Sequence, residues 1–315
     1  MFLLTFFSCK KKGLNKNYTV IDTPVNTKIY KSYWFNKNIG VFCGGTKNTQ
    51  GYIYTTTNGG TNWTLSHQNT SNSLYNIYFV NDSIGYCCGD NMYLLKTQNK
   101  GITWQEVNLQ ATYSYDAFFN GSLKGIFGNQ TNLFIVGGKN FNVGIIIKLE
   151  NNSVKPGFKG FSNELSCGFN FNTNHYIACG YGTGYCTTNS GADFNPTTFS
   201  GDNLTACVTL NATTGFACGY NGSVYKTTDA GAKYQKILNY NHFYKKRINF
   251  NDLSFINQTT GWVVGNQGII LETTNAKQFN KINLNTNHDL LSISLNTNNQ
   301  AIVSTSNGKL ILFDY

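Results

Sequence analysis

One short pattern recurs along this chain at a near-constant spacing, and it constrains the fold more than any other feature. Residues 79 to 104 read FVNDSIGYCCGDNMYLLKTQNKGITW, residues 210 to 234 read LNATTGFACGYNGSVYKTTDAGAKY, and residues 255 to 279 read FINQTTGWVVGNQGIILETTNAKQF. Each stretch runs apolar strand, polar turn, Gly-aromatic strand, turn, apolar strand ending in Thr, polar hairpin, aromatic. An aligned Cys or Val falls at Cys43, Cys88, Val136, Cys179, Cys218, Val264 and Val303. The mean period is about 43 residues, which suits four short strands and their turns.

That period predicts an all-β chain: a seven-bladed β-propeller of four-stranded antiparallel blades. A strand such as Tyr75-Asn76-Ile77-Tyr78-Phe79 alternates apolar and polar side chains, and one blade alone cannot bury both of its faces. Stacking blades in a ring buries them against each other, and closure protects most edges. The last repeat stops at Tyr315, where its third strand should end. Near the other terminus Asn17-Tyr18-Thr19-Val20 resembles Asn62-Trp63-Thr64-Leu65, the fourth strand of another copy. The N-terminal strand is therefore expected to complete the last blade, with a single domain over residues 17–315. Composition agrees. Charged residues are only 12%, and the chain has 3 prolines and 32 glycines, a mix that favours strands and tight turns.

Between third and fourth strands lies a hairpin pattern, Thr-x-Asn/Asp-x-Gly-x-x-aromatic. It occurs as Thr56, Asn58, Gly60, Trp63; as Thr97, Asn99, Gly101, Trp104; as Thr187, Asn189, Gly191, Phe194; and as Thr227, Asp229, Gly231, Tyr234. A degenerate fifth copy has Thr273 and Asn275, no glycine, and Phe279 one position early. The third repeat, residues 115 to 155, lacks it. The Asn or Asp side chain can accept backbone N–H bonds across the loop, Gly supplies a positive φ, and the ring covers the hairpin. These residues are expected to be fold staples and not ligands.

The repeated hairpin resembles the Asp-box, or BNR repeat. The fuller string from Gly219 to Gly231 is similar to the photosystem II stability and assembly factor-like propellers, and the likeness spans about residues 17 to 315. The resemblance implies a non-enzymatic, protein-binding assembly scaffold. Photosynthetic members carry an arginine-rich basic patch, whereas Arg247 is the only arginine here. Their specific partner is therefore not carried over. Asp-box propellers also include glycoside hydrolases, so a carbohydrate-binding or glycoside-hydrolysing propeller is the alternative. Sialidase-type chemistry needs several arginines and is excluded by the single one. Other glycosidases need two carboxylates across the scissile bond, and nothing in the spacing of Asp116, Glu106, Glu150, Glu164 and Glu272 pairs them.

The chain opens with the apolar run Met1 to Phe7, then Ser8, Cys9 and three lysines. This resembles a bacterial lipoprotein signal over residues 1–9, with Cys9 lipidated and residues 10–16 a short linker. The run is short and no basic residue precedes it. A start codon upstream of Met1 would account for both departures, and a frayed terminus is the other reading. On the lipoprotein reading the chain is a lipid-anchored monomer of the bacterial cell envelope, periplasmic or at the cell surface, and touches membrane only through Cys9. A secreted adhesin would differ only in exposure. Its expected partner is another envelope protein, with a glycan as the other option.

The formal net charge is +10, almost wholly from scattered lysines, so nucleic acid is not an expected partner. No cofactor or metal is expected. The nine cysteines contain no C-x-x-C pair, and His67, His175, His242 and His288 lie far apart. A position that accepts either Cys or Val is a small core site. Equivalent positions on neighbouring blades are expected to stand too far apart for disulfides, and Cys87 and Cys88 to point to opposite faces. One insertion stands out as a candidate partner patch: Tyr240, His242, Phe243, Tyr244, Lys245, Lys246 and Arg247 mix aromatic and basic residues in what should be a loop.

Overall fold

The computed structural model describes residues 13–109, 121–199, 201–244 and 247–315, and over 156–160 only the backbone. Cys9 with the expected signal, Lys245 and Lys246 lie outside the described residues.

The chain is a closed ring of seven four-stranded antiparallel sheets. Six blades run in simple sequence order from the centre outward. In blade 1, for example, the strands are Ile29–Trp34, Gly40–Thr46, Gln50–Thr56 and Thr64–Asn69. The other inner strands are Leu74–Phe79, Ser122–Gly128, Leu165–Asn170, Leu204–Thr209, Phe250–Phe255 and Leu290–Leu295. Blade 7 takes its outer strand, Thr19–Ile21, from the N-terminus; it pairs with Leu310–Asp314 in the register Val20↔Ile311. Both chain ends thus share one sheet, and the sheet has no missing strand. Residues ahead of it are also docked. Leu14 forms a parallel bridge to Ile282 at the rim of blade 6, and Lys16 pairs with Glu272.

Apolar side chains pack between blades. Among the described residues they form seven clusters, each spanning one interface between neighbours. Phe216 of blade 5 stacks on Phe255 of blade 6 with ring centroids 3.8 Å apart. The second strands carry the highest burial: Gly85–Gly89, Gly215–Gly219 and Gly261–Gly265 are buried throughout, because both of their faces meet a neighbouring blade.

The aligned Cys/Val column lies on these second strands and is wholly buried. Its last member needs correction. In blade 7 the residue in register with the others is Ser304, paired with Ser292, and not Val303. The glycine that follows elsewhere is there Thr305, so the apolar pattern slid by one without a glycine to fix it. The mean period of about 43 is unaffected.

That glycine has a steric cause. Every inner strand carries a β-bulge near its start, between Ile29 and Lys31 in blade 1 and at the equivalent place in the other six. The bulge brings the chain entering the inner strand against the second strand. A Cβ on Gly89 would sit 2.0 Å from the Ser73 carbonyl oxygen, and one on Gly180 2.1 Å from that of Glu164. No side chain fits.

The third repeat departs from the rest as a sheet edge, not as a missing blade. Val143–Glu150 and Ser153–Phe161 are joined through Asn151 and Asn152, with φ of 48° and 65°. Two successive positive φ values make the two-residue turn that matches strand twist, so this hairpin closes without the Asp-box.

Candidate functional site

Successive hairpins of an antiparallel blade emerge at alternate ends, so the ring has two distinct faces. One carries the first-to-second and third-to-fourth turns. The other carries the second-to-third turns and the crossings between blades.

The Asp-box hairpins occupy the first face. In blade 2 the Thr97 hydroxyl donates to Asn99 Oδ1 (3.0 Å) and accepts from the buried Gly101 N–H (3.0 Å). Asn99 Oδ1 in turn accepts from the Thr103 N–H (2.9 Å). The same trio recurs at Thr56, Asn58 and Gly60, at Thr187, Asn189 and Gly191, and at Thr227, Asp229 and Gly231. Gly101 has φ +83°, and an added Cβ would lie 3.0 Å from Val41 of blade 1. In blades 2, 4 and 5 the hairpin glycine seats against the preceding blade, on Val41, Phe134 and Ile177. Trp104 is buried, with its indole N–H on the Gly101 carbonyl (3.0 Å), while Trp63 packs on Phe42, Phe194 on Phe134 and Tyr234 on Phe199. The Asn or Asp Oδ1 and the Thr hydroxyl of each of these four copies are turned into their own turn. The Lys233 backbone N–H holds the Asp229 carboxyl below the usual range.

The opposite face holds a cavity of about 1020 Å³ running into the central channel. The sevenfold bulge builds its wall. In each inner strand the extra residue is left out of the ladder and turned to the channel. These residues are Tyr30, Tyr75, Lys124, Ser166, Thr205, Asn251 and Leu291, and all seven line the cavity. The ring is lopsided: two tyrosines and a lysine on blades 1 to 3, small polar or aliphatic residues on blades 4 to 7. Tyr30 and Tyr75 meet edge to face at 4.9 Å, and the Tyr75 hydroxyl donates to Asp90 (2.8 Å). Burial, then Asp90, push the Tyr30 hydroxyl up; burial and the Asp90 hydrogen bond do the same for Tyr75. Both stay protonated donors at neutral pH.

The cavity carries four lysines and three carboxylates, so the net charge of the chain is not concentrated there. Lys31 reaches past blade 7 to Asp252 (2.6 Å), and Lys124 pairs with Glu164 (2.8 Å). Asp252 also accepts from the Ile293 N–H (3.0 Å). Two of the cavity's lysines are thus paired with carboxylates along the wall.

Aromatics ring the mouth. Phe141 and Tyr181, 54% and 47% exposed, pair at 5.3 Å across blades 3 and 4, and Tyr220 stands exposed on blade 5. The candidate patch from the sequence lies beside them. Tyr240–Tyr244 is a short helix at the crossing from blade 5 to blade 6, and its Tyr240 N–H bonds to Gly222 of the Tyr220 turn (2.8 Å). Tyr240 stacks on Tyr244 and meets Phe250, so it anchors the helix. His242, Phe243 and Arg247 are exposed, Phe243 at 71%.

Sequence reasoning missed the bulge ring, because motif searching favours positions that repeat and these do not. It also missed pairings across strands. The Cys186 thiol lies 3.3 Å from His175 Nε2, and the Tyr93 hydroxyl 3.2 Å from His67 Nε2. Burial raises the Cys186 thiol and lowers His175, which is the reverse of an activated thiolate pair. Among the described residues no three His, Cys, Asp or Glu side chains gather as a metal site, and no helix is long and apolar enough to cross a membrane.

Residues 200–312, about a third of the chain, match the family described as photosynthesis system II assembly factor YCF48. No curated protein matches by sequence. Among solved structures, YCF48 bound to D1 peptide superposes over 96% of this chain and 99% of its own, with TM-score 0.69 and 14% identity. YCF48 from Cyanidioschyzon merolae covers 94% and 98%, with TM-score 0.68 and 14% identity. The WD40 propeller domain of Doa1 covers 95% and 97%, with TM-score 0.71 and 9% identity. At these identities the likeness is one of fold: a YCF48-like seven-bladed β-propeller.

Proposed function

We propose that this chain is a non-enzymatic binding scaffold of the YCF48 type, which takes an extended peptide segment of another protein at the cavity mouth and assists its assembly. The observation that carries this reading is the lopsided ring of bulged residues beneath a rim of exposed aromatics. A cavity of nearly balanced charge with hydroxyl donors and ring faces suits a peptide, whose backbone offers carbonyls and whose side chains offer apolar surface. A YCF48 structure with a D1 peptide bound supports the class of ligand, and the single arginine argues for a different peptide. We place the chain at the bacterial cell envelope, anchored through Cys9, with another envelope protein as partner. A monomer is the simplest state, since the ring closes on itself.

A glycan is the second reading, because exposed Tyr and Phe rings also stack on sugars. Paired panels separate the two. The chain would be titrated against a tiled peptide array from envelope proteins and against a glycan array. The scaffold reading expects peptide binding that falls at least about tenfold in Tyr30→Ala and Tyr75→Ala. Binding to glycans alone, or peptide binding indifferent to both substitutions, would reject it.

A further inference from the structure

The sequence rule against disulfides concerns equivalent positions on neighbouring blades. Cys167 and Cys207 are not equivalent. Cys167 follows the bulge of the blade 4 inner strand, in the column of Lys31 and Asp252, while Cys207 lies one residue further along the blade 5 inner strand, in the column of Ser32 and Ile293. These two columns meet where blades touch: at the next-but-one interface Asp252 accepts from the Ile293 N–H (3.0 Å). Around the ring the paired positions hold Lys31 and Ile77, Asn76 and Ile126, Gly125 and Gly168, or Ala206 and Leu253. Only between blades 4 and 5 are both members cysteine.

Their sulfurs stand 2.9 Å apart. Two thiolates sharing a tetrahedral metal with bonds of about 2.3 Å would stand about 3.8 Å apart, so this spacing is too tight for a metal pair. It is the spacing of two sulfurs lined up to bond. Both residues line the central cavity, which admits small molecules. Cys207 is partly exposed there, and Cys167 is 8% exposed.

We propose that Cys167 and Cys207 are an oxidisable pair whose disulfide ties blade 4 to blade 5 inside the channel. The oxidant is a small-molecule disulfide, R–S–S–R. The Cys207 thiolate, the more open of the two, attacks one oxidant sulfur, forms a mixed disulfide and releases R–S⁻. The Cys167 thiolate then attacks the Cys207 sulfur, closes the protein disulfide and releases a second R–S⁻. The two thiol protons end on the two released R–SH molecules, and two electrons pass from the protein sulfurs to the oxidant. Blades 4 and 5 are separate sheets, so the bond would be a new covalent link across an interface otherwise held by packing and a few hydrogen bonds, such as Asn170 N–H to Thr209 Oγ1 (3.0 Å). It rests on geometry separate from the peptide-binding reading. Burial raises both thiols, so exchange is expected to speed up from pH 7 to pH 9.

The test uses the full chain with oxidised glutathione. After acid quench, the protein is alkylated under denaturing, non-reducing conditions, digested and mapped by mass spectrometry. The expected result is loss of two alkylatable thiols, a mass lower by two hydrogens, and one linked peptide pair containing Cys167 and Cys207. Cys207→Ser should abolish the link and leave Cys167 alkylated, and wild-type protein alone suffices should that variant not fold. Recovery of both residues alkylated after exposure at pH 9, or a link that joins other cysteines in their place, would overturn the proposal.

Discussion

At the scale of single residues, the repeat is governed by contacts that tolerate no extra atom. Gly89 is the sharpest case, since any Cβ would meet the Ser73 carbonyl at 2.0 Å. Gly89→Ala is expected to destabilise the fold by on the order of 3 kcal/mol, while Val264→Cys, a swap the column already accepts, costs under about 1.5 kcal/mol. Urea unfolding of the two variants checks both. Titration gives a second expectation. Burial lowers the folded-state pKa of His67 and His175 below the usual 6.5. A base depressed on folding binds more protons when unfolded. Its stabilising effect is therefore full above pH 6.5 and is lost as pH falls through the folded value. Melting temperature should fall from pH 7 to pH 5, and the double variant His67→Gln, His175→Gln should show a flatter profile. An unchanged slope would remove these histidines from the acid limb.

At the scale of elements, the Asp-box works as a turn lock. Thr97 satisfies a buried N–H of Gly101 and orients Asn99, so Thr97→Val leaves a buried donor unpaired. A loss of about 1–2 kcal/mol follows, with faster amide exchange confined to the hairpin around Asn99. Equal exchange in variant and wild type would show that the motif carries no such load. These elements were legible in the sequence because their chemistry is local: a Thr, an Asn or Asp and a Gly at fixed spacing specify one turn wherever they occur. The bulges were not legible. A bulge is set by how a strand meets its partner, and Tyr30, Lys124 and Leu291 share no side-chain chemistry that would mark them as one structural position. The Cys167–Cys207 contact escaped for the same reason, since it joins two different columns across an interface. The slip at Val303 shows the converse: without a glycine to mark register, an apolar run reads equally well one residue out.

At the scale of the whole molecule, the ring is held by seven similar interfaces, and one depends on the chain ends meeting. Ile21 packs in the cluster between blades 7 and 1 with Trp34, Phe42 and Leu310. Removing residues 1–22 would expose the Leu310–Asp314 edge and strip that cluster of its cover. Such a truncation is expected to lower the melting temperature and promote association through the open edge, seen by light scattering. A monomer as stable as the full chain would mean that closure is dispensable. The division of the faces follows from the same architecture. Repeated chemistry sits where turns must close, and varied chemistry sits where bulges and crossings open toward the channel.

The most direct test of that division is site-specific photo-crosslinking in intact cells. One crosslinking residue replaces Tyr220 at the cavity mouth, and another replaces Thr57 on the hairpin face. A defined protein partner captured from position 220, lost on adding Tyr30→Ala and Tyr75→Ala, and absent from position 57 is the expected result. Capture of the same partner from position 57 alone, or capture at position 220 that survives loss of both tyrosines, would contradict it.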